Sequence, residues 1–196
     1  MEVNEPAVKY ESFPQMSPAE FIEWESIQEY KHEYIGGKII AMAGVSLRHN
    51  KIQTNIIAKI FPLLSGKGCD IYGSDLRVLV KSKESFFYPD ATIVCGEAEL
   101  AEEYKDTVKN PSVIFEILSP STENYDLGKK FFMYMQIESL KEYITIDSAN
   151  LFVRISRRKN DNSWLFEQYS DVETAFEITT INQTLHLHEL YDGLKW

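Results

Sequence analysis

Apolar positions recur at helical spacing near the amino end and at strand spacing through the rest of the chain. In SPAEFIEW, Ser17 can cap, Pro18 suits the first helical position and Glu20 completes a capping box. Phe21 and Trp24, with Ile27 or Gln28, share one face of that predicted helix. HEYIGGKIIAMAG places Gly36-Gly37 between two strand-like runs, a hairpin signal. Over 46–64, Ile52, Ile56, Ile60 and Leu63 form one stripe with Asn55 and Lys59 off it, which predicts a packed amphipathic helix.

From Cys69 the period changes to that of strands. Runs at 69–72 and 76–81 flank a Gly73-Ser74 turn, and a third strand, 90–95, follows Pro89. Residues 97–110 are polar and acidic and are expected as a solvated loop or short helix. Residues 113–118 form an apolar run ended by Ser119-Pro120, expected as a central strand. A helix over 125–137 precedes strands at 143–147, 151–156, 164–169 and 175–178, and LHLHELYDGL reads as a closing helix or turn. The order predicts an α/β (α+β) fold, a mixed central sheet flanked by helices. The expected organisation is an amino-terminal arm, 1–16, and one domain, 17–196.

Composition narrows the function. Apolar residues make up 44% and charged residues 26%, ordinary for a globular chain. The net charge of -10 argues against broad DNA coating, which needs a basic face. A local strip such as Arg154, Arg157, Arg158 and Lys159 remains open as a backbone contact, beside its plainer reading as a solvated hairpin. Cys69 and Cys95 are expected as free thiols, which suits a cytoplasmic protein. The amino end is acidic and has no apolar core of the secretory type, and no run is long enough to span a bilayer, so no membrane role is expected.

Two acids stand inside apolar strands: Asp90 in YPDATIVCG and Glu116 in PSVIFEILSPST. A buried carboxylate is costly unless it is paired or binds a cation. Alternation puts Asp90, Thr92 and Val94 on one face, and Ile114, Glu116 and Leu118 on another. If the strands are neighbours, the two acids converge, as oxygen ligands that suit Mg2+ or Mn2+. In the following helix Asp126, Lys130 and Tyr134 share a face beside an apolar stripe of Leu127, Phe131 and Met135. Lys130 would project from the margin of the docked face toward the acids. The bland alternatives are a Glu116–Lys130 salt bridge and a surface Asp126–Lys130 pair. His186 and His188, two apart with no third ligand, are expected as surface groups.

SPAEFIEW, HEYIGGKIIAMAGVSLRHN, SDLRVLV, YPDATIVCG, PSVIFEILSPSTENYDLGKKFFMY and LKEYITID together resemble the Uma-two (DUF eight-twenty) family of restriction-type endonucleases, in the PD-(D/E)XK nuclease superfamily. The likeness runs from about Ser17 to Tyr191. It implies a Mg2+- or Mn2+-dependent endonuclease, a hydrolase of DNA phosphodiesters, with double-stranded DNA as partner and a homodimer as the cutting form. Glu33, Asp90, Glu116 and Lys130 then take the catalytic positions. Asp90, Glu116 and the main-chain carbonyl of Ile117 hold the metal. His49, Asn50, Gln53 and Arg48 face the substrate, and Asp75 and Arg77 stand behind the site. The lysine of the E-x-K motif would fall at Leu118, and its role passes to Lys130. Ile35-Gly36-Gly37-Lys38 stands where relatives carry I-D-G-E. The alternative reading is a nuclease-fold binding or regulatory module that does not cut.

Overall fold

The computed structural model describes residues 13–42, 44–102 and 104–195, with the backbone alone for Lys83. Most of the expected amino-terminal arm, 1–12, lies outside the described residues. The stretch just after it is packed: Phe13 meets the rings of Trp24 and His32, and the Met16 carbonyl accepts the Tyr34 hydroxyl.

The capping box of Ser17 and Glu20 starts α1 (Pro18–Glu25) as expected. The helix ends one turn early, with Ser26 at its C-cap, so Ile27 is left 80% exposed instead of joining the buried face. Gly36 and Gly37, both at positive φ, turn β1 (His32–Ile35) into β2 (Lys38–Ala41). Ser46 caps α2 (Leu47–Ile60), whose Ile52, Ile56 and Ile60 are fully buried.

Two six-stranded sheets follow, where one was expected. The first runs β2, β1, β5 (Ser85–Phe87), β4 (Arg77–Val80), β8 (Tyr104–Val108), β7 (Leu100–Ala101). The second runs β12 (Trp164–Tyr169), β11 (Val153–Arg158), β10 (Glu142–Asp147), β9 (Val113–Leu118), β6 (Ala91–Cys95), β3 (Cys69–Gly73). A small pair, β13 (Ala175–Ile178) and β14 (Gln183–His186), precedes α4 (Leu187–Leu190).

The strands flanking Gly73-Ser74 therefore part into different sheets and form no hairpin. The acidic stretch 97–110 is loop at its ends and, among the described residues, forms no helix. It supplies β7 and β8, where Lys105 and Asp106 are exposed while Thr107 and Val108 are buried.

Alternation places the layers. Ile35, Ile40 and Phe87 of the first sheet pack with Val94, Ile114 and Tyr143 of the second. Their sequence neighbours Tyr34, Ile39 and Phe86 face the other way, against Phe21 of α1. The far face of the second sheet carries Ile93, Phe115 and Ile144, covered by α2, β13–β14 and α4.

Between β9 and the parallel β10 stands a π-helical turn, Tyr125–Lys130, that continues into α3 (Phe131–Tyr134). The expected single α-helix over 125–137 is thus wider at its start and shorter at its end. A disulfide joins Cys69 to Cys95, opposed residues of β3 and β6. The expected pair of free thiols is corrected, and the case for a reducing compartment that rested on them falls. No helix among the described residues is long and apolar enough to cross a membrane.

Candidate active site

All six residues of β9 are buried, so Glu116 is taken out of water by its strand. The antiparallel register Ala91↔Phe115 and Thr92↔Ile114 brings Asp90, just before β6, beside Glu116 across the ladder. Asp90 is fixed from several sides. Its Oδ2 accepts the Ile117 N–H (2.7 Å), its Oδ1 lies 2.8 Å from His49 Nε2, and Gln53 Nε2 donates to its carbonyl (2.8 Å). Both of those α2 residues sit in its first two turns, so the helix start anchors the strand start.

The π-helical turn supplies the cation. Lys130 Nζ stands 2.7 Å from Glu33 Oε1, 2.8 Å from Glu116 Oε1 and 3.8 Å from Asp126 Oδ1. The lysine is 4% exposed, Glu33 3% and Glu116 4%. Two tyrosines complete the cluster: Tyr125 donates to Glu33 Oε2 (2.7 Å) and Tyr134 to Glu116 Oε1 (3.0 Å).

Burial alone would strip the charge from Lys130, but Glu116 and Glu33 outweigh it and hold the ammonium well above its ordinary range. Glu116 moves the same way for the opposite reason. Loss of water raises its carboxyl, Lys130 opposes, and Asp126, Asp90 and Glu33 add repulsion. Asp126 is raised to about 6, chiefly by burial, against the pull of Lys130 and a hydrogen bond from Thr122. The hydroxyls of Tyr125 and Tyr134 are pushed up by burial and remain donors.

Asp90, Glu33, Glu116, Asp126, Lys130 and His49 line one cavity of about 90 Å³. Met42, Gly44 and Val45, between β2 and α2, also line it, as do Ser119, Ser121 and Thr122, which follow β9.

A family model described as "Putative restriction endonuclease", Uma2, matches residues 18–189. The chain belongs to the Uma2 family. Among its relatives are two proteins of Synechocystis sp. whose names are "Uncharacterized protein slr1290" and "Uncharacterized protein sll1609". The first is 31% identical over 94% of this chain and 95% of its own length, and the second 34% identical over 84% and 93%. A crystal structure from Anabaena variabilis, titled as a putative nuclease belonging to DUF820, superposes with a TM-score of 0.75. It covers 90% of this chain and 97% of that one at 18% identity, a likeness of fold.

Of the residues that the Uma2 resemblance singles out, Glu33, Asp90, Glu116 and Lys130 meet in the cavity, and Ile117 and His49 line it too. Five others do not. Arg48 turns away, donating to the carbonyls of Ser148 and Lys195. Asn50 is exposed outside the cavity, and Gln53 reaches only the Asp90 carbonyl. Asp75 is exposed and pairs with Lys31, while Arg77 pairs with Asp106. In the basic strip Lys159 stays exposed, while the arginines meet the chain's own groups. Arg157 binds Glu142 and Glu167, Arg158 donates to the carbonyls of Leu140, Met135 and Ile137, and Arg154 lies over the Phe166 ring. His186 and His188 are exposed, as expected.

The helix docks differently from expectation: Lys129 and Gly128 are exposed and Leu127 half-buried, while Asp126 and Lys130 are buried. Tyr125, Thr122 and Ser121 entered no sequence argument as site residues. The usable signal was their closeness to Glu116 and Lys130 in the chain.

Proposed function

We propose that the protein is a metal-dependent endonuclease that hydrolyses DNA phosphodiesters at this cavity. The observation that carries the reading is the meeting of Glu33, Glu116 and Asp126 around a single buried ammonium, Lys130, in the cavity that Asp90 also lines. Four carboxylates against one lysine leave a surplus of negative charge, which must take up protons or a cation.

Among the described residues no three His, Cys, Asp or Glu side chains stand grouped as ligands of a metal ion, and the ammonium stands between Glu33 and Glu116. The donor chemistry nonetheless fits a hard divalent cation. Asp90, Glu116 and the Ile117 carbonyl would hold Mg2+ or Mn2+. When bound, such a cation supplies charge against the phosphoryl oxygens and acidifies water.

The chain's own groups divide the remaining work. Lys130, kept protonated by its carboxylates, acts as a fixed positive charge and not as a base. Asp126, raised to about 6, can accept a proton near neutrality. Tyr125 and Tyr134 hold Glu33 and Glu116 in place. His49 and the Ile117 N–H orient Asp90. Cutting both strands of a duplex needs two such sites, so we assign a homodimer as the form that cuts both strands.

Nicking of supercoiled plasmid with Mg2+ or Mn2+ tests the reading. Asp90→Ala, folded as judged by circular dichroism, is expected to lose at least about a hundredfold in rate. Equal nicking by the variant removes the assignment. The second reading, a nuclease-fold module that binds without cutting, is favoured by the ammonium that already neutralises Glu33 and Glu116. Calorimetry in which neither cation binds, with no nicking by the wild type, would decide for it.

A further inference from the structure

Three hydroxyls lining the cavity have no part in the function proposed above. Ser119 Oγ lies 2.9 Å from Ser121 Oγ and 3.1 Å from Thr122 Oγ1, and Thr122 Oγ1 also accepts the Ser119 N–H (3.4 Å). A hydroxyl has one proton to give and two lone pairs to receive. Ser119 and Thr122 thus meet through two contacts, and Ser121 stands at the end of the chain. Its proton either rests on Ser119 or turns outward into the cavity.

The charged donors lining the cavity are engaged. Lys130 is clasped by Glu33 and Glu116, His49 faces Asp90, and no arginine is among the described lining residues. A phosphodiester brought beside four carboxylates requires a donor that is not already held by an acid.

We propose that Ser121 is that donor, meeting a non-bridging oxygen of the substrate phosphate while Ser119 and Thr122 bond to each other behind it. This rests on the phosphodiester reading of the site. Turning outward, Ser121 exchanges a neutral hydrogen bond to Ser119 for a charge-assisted one to phosphate.

The test uses the full chain and a fluorescein-labelled duplex carrying a plasmid site that the wild type nicks, with Ca2+ in place of Mg2+ during binding. Ser121→Ala is expected to weaken binding about tenfold, and Ser121→Thr to restore it. In cleavage with Mg2+, Ser121→Ala should raise KM and leave kcat nearly unchanged. Replacing phosphates one at a time by neutral methylphosphonate should reveal one position where Ser121→Ala adds no further loss. Binding by Ser121→Ala equal to wild type, or a loss that no methylphosphonate position absorbs, overturns the assignment and leaves the nuclease reading intact. A wild-type protein that nicks no plasmid overturns both.

Discussion

Asp126 shows how burial and one neighbour set the affinity of a carboxylate for its proton. Its folded pKa of about 6 stands above the ordinary value of 3.8, so folding favours the protonated form. The stability linked to that proton is fully present below about pH 4 and is lost as pH rises through about 6. A two-decade difference in proton affinity is worth roughly 3 kcal/mol. Asp126→Asn keeps the shape and removes the charge. It should therefore be more stable than wild type near pH 8 and about equal near pH 4, read by urea denaturation at both. A variant less stable than wild type at the higher pH would show that Lys130's attraction outweighs burial. Lys130→Met is expected to act the other way. It leaves Glu33 and Glu116 buried without their cation, at a cost on the order of 3–5 kcal/mol that shrinks on acidification, in the same urea measurement. At this scale the sequence was informative about Asp90, Glu116 and Lys130, because a charge within an apolar pattern is an anomaly that needs a reason. It was silent on Ser121, Thr122 and Tyr125, since hydroxyls after a strand are ordinary loop residues until the fold brings them to a cavity.

Elements with a strong period were legible: the Gly36-Gly37 hairpin, the isoleucine stripe of α2, and the buried strands β6 and β9. What stayed hidden has identifiable causes. The β7–β8 pair has too little apolar content to show alternation, because only one end of β8 is buried. The π-helical turn leaves no mark in composition, although it carries both Asp126 and Lys130 to the buried side. The disulfide depends on register, which places Cys69 directly opposite Cys95. β3 is the edge strand of its sheet, paired only to β6, so the bridge reinforces the seam at one end and Asp90 lies at the other. For a sequence separation of 26 residues, the chain-entropy argument gives stabilisation of roughly 3 kcal/mol. The double variant Cys69→Ala/Cys95→Ala should melt several degrees lower in calorimetry, and wild type should approach it under reductant. Superimposable melting curves for wild type and variant would mean that the bridge adds nothing to the fold.

At the scale of the whole molecule, charge is the organising fact. The chain carries -10, and its arginines 48, 77, 157 and 158 are engaged by its own carbonyls and acids. The net charge therefore opposes long-range attraction to DNA, and whatever draws a phosphodiester to this surface has to be local and cationic. The acidic cavity can supply that only by trading its protons for a divalent ion, because Glu116 and Asp126 hold theirs more tightly than free carboxylates do. Binding to the folded state alone raises stability by RT ln(1 + [L]/Kd), about 2.7 kcal/mol at a hundredfold excess over Kd. Proton release makes that gain depend on pH. Mn2+ should therefore raise the melting temperature more near pH 8 than near pH 5.5, because Asp126, raised to about 6, sheds its proton between those values. Asp90→Ala should abolish the rise at both, since it removes a ligand without disturbing Lys130. A shift equal at the two pH values would place the ion on groups that are already ionised, away from the buried cluster. One that survives Asp90→Ala would place it on the acidic surface. In either case the -10 charge would be a property of the exterior alone, with no part in drawing a cation to the cavity.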